Sequence, residues 1–85
     1  MEVTLKYFAW VRERIGVAEE KVALPDSVAT AGDAIEWLKS RGDGYAAAFE
    51  RGDIIRVAID QAHAKHTASV QGAREIAFFP PVTGG

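Results

Sequence analysis

Apolar and polar residues alternate through the first eight positions, MEVTLKYF. Met1, Val3, Leu5 and Tyr7 fall on one side, and Glu2, Thr4, Lys6 and Phe8 on the other. A period of two marks a strand with one buried face, and it leaves the large aromatic Phe8 among the polar positions. AWVRERIG then reads as a short helical turn closed by Gly16, and EEKVALP as a second strand stopped by Pro25. These two strands are expected to pair as a hairpin with a long connection. In TAGDAIEWLKSRG the spacing changes to three and four, which predicts the main helix. Thr30 is its expected N-cap with Asp33 three residues on; Ala31, Ala34, Ile35 and Leu38 form the apolar stripe, which Trp37 widens. Gly32 weakens the first turn and Gly42 is the expected stop.

GYAAAFE predicts a second short helical piece that packs Tyr45 and Phe49, ended by a turn at RGD. IIRVAID alternates again and reads as a central strand. QAHAKHTASVQGA reads as a polar, small-residue connection with one short extended piece around Ser69 and Val70. REIAFF supplies the last strand, which Pro80 and Pro81 end. Strand, strand, helix, strand, strand predicts an α+β class: a mixed sheet with one main helix packed across one face. In the last strand Ile76 and Phe78 share a face, so if they meet the helix, Phe79 joins Phe8 on the opposite side. Two readings of that pair stand open. Tyr45, Phe49 or the 61–73 connection covers it, or it is an exposed patch for a partner.

Composition narrows the chemistry. With 85 residues, 48% hydrophobic and 26% charged, the chain has enough apolar material for one folded core and is too short for two. A net charge of -2 gives no electrostatic basis for binding nucleic acid. The absence of cysteine removes disulfides, thiolate metal sites, iron–sulfur clusters and thiol nucleophiles together. No apolar run approaches the ~18 residues of a membrane span, and no charged head with an apolar signal segment opens the chain. The expectation is a cytoplasmic protein with no membrane partner. His63 and His66 in HAKH stand at a spacing that suits a helical metal site. Without cysteine or a nearby carboxylate pair, they read instead as loop histidines in water, and no metal is expected. The charges of VRERIGVAEEK read as a solvated face, with Arg12 and Arg14 available to an acidic partner. Trp10 and Trp37 read as packing residues.

The chain ends FFPPVTGG. Pro80 and Pro81 lack backbone N–H groups and fix φ, so the chain is expected to leave the sheet extended. Gly84 and Gly85 have no side chains, so the last carboxylate could pass a channel too narrow for other residues. This divides the chain into a body, 1–81, and a tail, 82–85. A frayed terminus is the plain alternative. A free α-carboxylate, with a reference pKa of about 3.3–3.7, is a poor electrophile at neutral pH. Joined to AMP it would gain a good leaving group, which a sulfur nucleophile could displace to give a thiocarboxylate. Reactive sulfur would then be carried without cysteine.

YFAWVRERIG, TAGDAIEWLKSRG, IRVAID and EIAFFPPVTGG together resemble the small, sulfur-carrier subunits of molybdopterin synthase, members of the ubiquitin-like β-grasp group. The likeness spans nearly the whole chain and is most specific in the last segment. Two departures are visible. Asp60 stands where the family has Asn, and QGARE, with Ala73 and Arg74 ahead of Glu75, replaces an acidic turn. They bear on the last turn and on part of the partner surface.

The resemblance implies a carrier in molybdenum cofactor biosynthesis that is not an enzyme by itself. Gly85 would be the reacting residue, adenylated and then converted to a thiocarboxylate. Val82, Thr83 and Gly84 would be tail contacts, and Phe8 and Phe79 a docking patch. The implied partners are a large synthase subunit, in a heterotetramer of two small and two large chains, a ubiquitin-activating-type adenylyltransferase, and a sulfurtransferase or cysteine desulfurase. Acid and base groups would sit on the large subunit, where cyclic pyranopterin monophosphate becomes the dithiolene of molybdopterin. No cofactor would be bound, and ATP would be consumed by the activating enzyme. Alternatives are a thiamine-thiazole sulfur carrier, typically shorter and without FFPP, a ubiquitin-like modifier joined through Gly85 to lysine amines, or a plain interaction module.

Overall fold

The computed structural model describes residues 1–81. In chain order the elements are β1 (Glu2–Tyr7), α1 (Ala9–Ile15), β2 (Glu19–Ala23), α2 (Ala31–Lys39) and α3 (Asp43–Ala48). A 3-10 turn (Gly52–Ile54), β3 (Arg56–Ile59), β4 (Ala62–Ala64) and β5 (Glu75–Phe79) follow. The strands form one mixed sheet in the order β2-β1-β5-β3-β4. β1 and β5 run parallel at its centre, and β1–β2, β3–β5 and β3–β4 are antiparallel.

The period-two pattern of β1 sets which face is buried. Val3, Leu5 and Tyr7 are buried and the residues between them are not. In register with them, Ile76 and Phe78 of β5 and Val57 of β3 line the same face. Against that face pack Ala31, Ala34, Ile35 and Leu38 of α2, Val11 of α1, and Ala48 with Phe49 at the end of α3. Phe78 lies at the centre, stacked on Tyr7 at 6.0 Å and edge-on to Phe49 at 5.4 Å. Each such fully buried side chain contributes about 1.5–3 kcal/mol of transfer free energy.

Helix α2 starts as its sequence predicts. The Thr30 side chain accepts from Asp33 N–H at 3.1 Å, and the Asp33 carboxylate accepts from the Thr30 and Ala29 N–H groups at the same distance. These bonds hold the Asp33 carboxyl below its usual range. Gly16 caps α1 with φ 98 and donates to the Arg12 carbonyl at 2.7 Å, a left-handed geometry that favours glycine.

Three expectations change. Gly42 does not end α2: Ser40 is the C-cap, its hydroxyl donating to the Trp37 carbonyl at 2.6 Å, and Gly42 instead opens α3. The 61–73 stretch is not only a connection, because Ala62–Ala64 pairs with β3 as a fifth strand. The extended piece around Ser69 does exist, as a bridge to Thr30. β3 is interior as expected, but the middle of the sheet is β5.

Candidate functional site

Phe8 and Phe79 come together on the sheet face that the helices leave open. Phe8 closes β1, with its N–H donating to the Phe78 carbonyl at 3.1 Å, and it is also the N-cap of α1. Ala9 follows at φ 53, a sparsely populated region for a residue with a side chain, and this sharp turn starts α1 directly after the strand. The Phe8 ring is 46% exposed and meets the half-buried Phe79 edge-on at 6.5 Å. Of the two readings of this pair, the covered one holds only at its edge. His63 of β4 sets its ring against Phe79 at 5.5 Å, whereas Phe49 is wholly buried on the helix side. Val82, Thr83, Gly84 and Gly85 lie outside the described residues. The body delivers the chain to that point through Pro80 and Pro81, both half-buried, which follow Phe79 immediately.

Asp60 proves to be a structural acceptor. It sits at φ 49 between β3 and β4, and its Oδ1 accepts from the N–H groups of Arg74 and Glu75 at 2.9 and 3.0 Å. Its own N–H donates to the Glu75 carbonyl at 2.9 Å. An Asn side-chain oxygen could accept the same two bonds, so the departure from Asn leaves this tie intact. In the replaced turn, Gly72 supplies φ 74 and Ala73 is buried, so the turn closes without the family's acidic residues.

The reading of both histidines as loop residues in water holds only in part: His63 is exposed but sits on a strand, and His66 lies in a turn but is partly covered. His63 lies on β4, and His66 is half-buried with Nε2 2.6 Å from the Ile55 carbonyl oxygen. The β3–β4 pairing sets His63 opposite Ala58, a long-range effect that HAKH alone does not reveal. Among the described residues no group of three His, Cys, Asp or Glu side chains could hold a metal ion. Also among them, no helix is long and apolar enough to cross a membrane.

Trp10 and Trp37 pack against the core as read, each under an arginine: Arg14 at 4.5 Å and Arg41 at 5.1 Å from the ring centres. Sequence reasoning missed Glu20. Its Oε2 accepts the hydroxyls of Tyr7 at 2.8 Å and Tyr45 at 2.6 Å, and its Oε1 lies 3.3 Å from Arg41. Burial works to raise the Glu20 carboxyl, but the two hydroxyls and the guanidinium outweigh it and hold the group below its usual range. Burial, and then the Glu20 carboxylate, push Tyr7 far above the ordinary phenol range. The alternation that buries Val22 places Glu20 on the same face, which was the available signal.

A mixed sheet with a parallel central pair, wrapped on one main helix, defines a ubiquitin-like β-grasp domain. Residues 5–85 match the ThiS family, and the chain belongs to that family. It is 46% identical over 79 residues to the molybdopterin synthase sulfur carrier subunit of Haemophilus influenzae, covering 93% of this chain and 94% of that one. To the protein of the same name in Escherichia coli it is 31% identical over 83 residues, covering 98% and 99%. Among solved structures, SAMP1 from Haloferax volcanii superposes with a TM-score of 0.72 at 30% identity over the full length of both chains. The resemblance drawn from the sequence thus agrees with the names these two sequence relatives bear.

Proposed function

We propose that this chain is the sulfur carrier subunit of molybdopterin synthase, with the Gly85 carboxylate as its reacting group. The observation that carries the reading is the 46% identity, over nearly the full length of both chains, to a protein of that name. The family match also runs through Gly85.

In the proposed cycle a carboxylate oxygen of Gly85 attacks the α-phosphorus of ATP on a ubiquitin-activating-type enzyme, releasing pyrophosphate. A persulfide sulfur on a sulfurtransferase or cysteine desulfurase system then attacks the acyl carbon and displaces AMP, and a thiol reductively cleaves the resulting acyl disulfide, leaving a thiocarboxylate and a protein disulfide. Val82, Thr83 and Gly84 carry that group into the large synthase subunit, which supplies the acid and base groups, while Phe8 and Phe79 dock the body. The carrier binds no cofactor of its own, and the assembly is a heterotetramer. Two such deliveries make the dithiolene from cyclic pyranopterin monophosphate.

The test is the intact mass after incubation with ATP, the activating enzyme and a sulfur source. The expected gain is about 16 Da, one oxygen exchanged for sulfur, confined to the fragment ending at Gly85. A chain lacking Gly85 should fold and gain nothing. An unchanged mass in the full chain overturns the reading. Growth rescue of a strain lacking the thiamine-thiazole carrier, but not of one lacking the molybdopterin carrier, would move the chain to the other pathway.

A second reading has one observation in its favour. The Haloferax volcanii protein of matching fold is named small archaeal modifier protein 1. A modifier would appear as branched conjugates between Gly85 and lysine amines, a mass signature distinct from sulfur exchange.

A further inference from the structure

Beside the Phe8–Phe79 pair the sheet opens into a cleft of about 580 Å³, lined by Ile54, Arg56, His63, Lys65 and Pro81 among others. It lies where the β3–β4 ladder ends at the Val57–Ala64 pair, with Arg56 as the first residue of β3 and Lys65 just after β4. Arg56 stands directly opposite Phe79 in the β3–β5 register, and the ring of His63 touches Phe79, so the cleft and the aromatic pair form one continuous surface.

Its charge is opposite to that of the whole. The chain carries -2, yet neither Arg56 nor Lys65 has a carboxylate within ion-pair distance among the described residues, although four other cations do. The one acid lining the cleft, Asp53, is engaged by Arg51, Nε to Oδ1 at 3.3 Å and the terminal nitrogen to Oδ2 at 3.4 Å. The cleft also borders an edge: β4 is the outermost strand, so among the described residues its outer N–H and C=O groups have no strand partner.

We infer that this cleft receives an extended, carboxylate-bearing segment of the large synthase subunit, seated along the β4 edge with its acids against Arg56 and Lys65. The inference rests on the reading of the chain as a synthase subunit and adds the chemistry of the partner surface. An edge strand offers backbone pairing to an extended peptide, and two cations in the cleft without an ion-pair partner among the described residues favour carboxylates placed along it. A free polyphosphate fits less well, because Asp53 stands in the same wall and no glycine-rich loop turns a row of N–H groups inward.

Binding of the full chain to the purified large subunit, measured by calorimetry at two salt concentrations, tests the inference. Arg56→Glu and Lys65→Glu should each weaken binding about tenfold or more and flatten its salt dependence. Arg56→Gln should give a smaller loss. Lys21→Glu, the same charge reversal on β2 at the opposite edge of the sheet, should change little. Equal thermal midpoints for all variants show that the fold is kept. Tight binding of the wild type with no effect of Arg56→Glu and Lys65→Glu overturns this inference and leaves the subunit reading standing. Failure of the wild type to bind at all overturns both. Saturable binding of ATP alone that Arg56→Gln abolishes would make the cleft a nucleotide site and overturn the peptide assignment.

Discussion

Glu20 takes three donors at once, and its charge is what makes the arrangement stable. Removing the carboxylate strands two phenol hydroxyls, of which Tyr7 belongs to a wholly buried ring. Glu20→Ala should therefore cost about 1–3 kcal/mol, read from urea unfolding at neutral pH. The pH dependence follows from the depressed carboxyl. Its stabilisation is complete above the unfolded carboxylate range and is lost as pH falls through the lower, folded value. The thermal midpoint of the wild type should fall on acidification below the ordinary carboxylate range, and Glu20→Gln should flatten that fall. Asp33 adds a decline of the same sign, which remains in the variant. At this scale the sequence was partly legible. Alternation placed Phe8 and Phe79 on their faces, but the Glu20 cluster was missed, because Tyr7, Glu20 and the Arg41–Tyr45 stretch come from three separate parts of the chain.

Among the elements, the start of α2 was readable because its capping box is local: Thr30 and Asp33 satisfy each other across three residues, although the Ala31 and Gly32 N–H groups donate to the distant Ala68 and His66 carbonyls. Its end was not, since Gly42 serves the helix that follows. β4 was missed for a related reason. Ala62 and Ala64 are small and weak strand formers, and the element exists through its pairing with β3. The turn before it is tied to β5 by Asp60, so the strand that leads to the tail is positioned by a residue at the far end of the sheet. Asp60→Ala should lose about 1–3 kcal/mol, because two N–H groups lose their acceptor and a side chain remains at positive φ without compensation. Asp60→Asn should stay close to the wild type. Chemical denaturation of the two variants side by side distinguishes the hydrogen bonds from the charge.

For the molecule as a whole, one face of the sheet holds the core, and among the described residues no helix covers the other. Phe8 lies on that open face, so Phe8→Ser should change the unfolding free energy by no more than about 1 kcal/mol. If the body docks through Phe8 as proposed, the same change should weaken binding to the large synthase subunit by about 2 kcal/mol or more, as loss of a central aromatic does in an interface. Thermal melts and calorimetry on one preparation give both numbers, and equal losses in the two would assign Phe8 to folding alone.

The sequence by itself determined the two faces of β1 and β5, the start of α2 and the character of the ending, because period, capping and proline chemistry act over neighbouring residues. Tertiary structure decided the parallel pairing of β1 with β5, the fifth strand, and the cleft that brings Arg56 and Lys65 beside Phe79. Those depend on which distant segments lie side by side, and no local pattern carries that information.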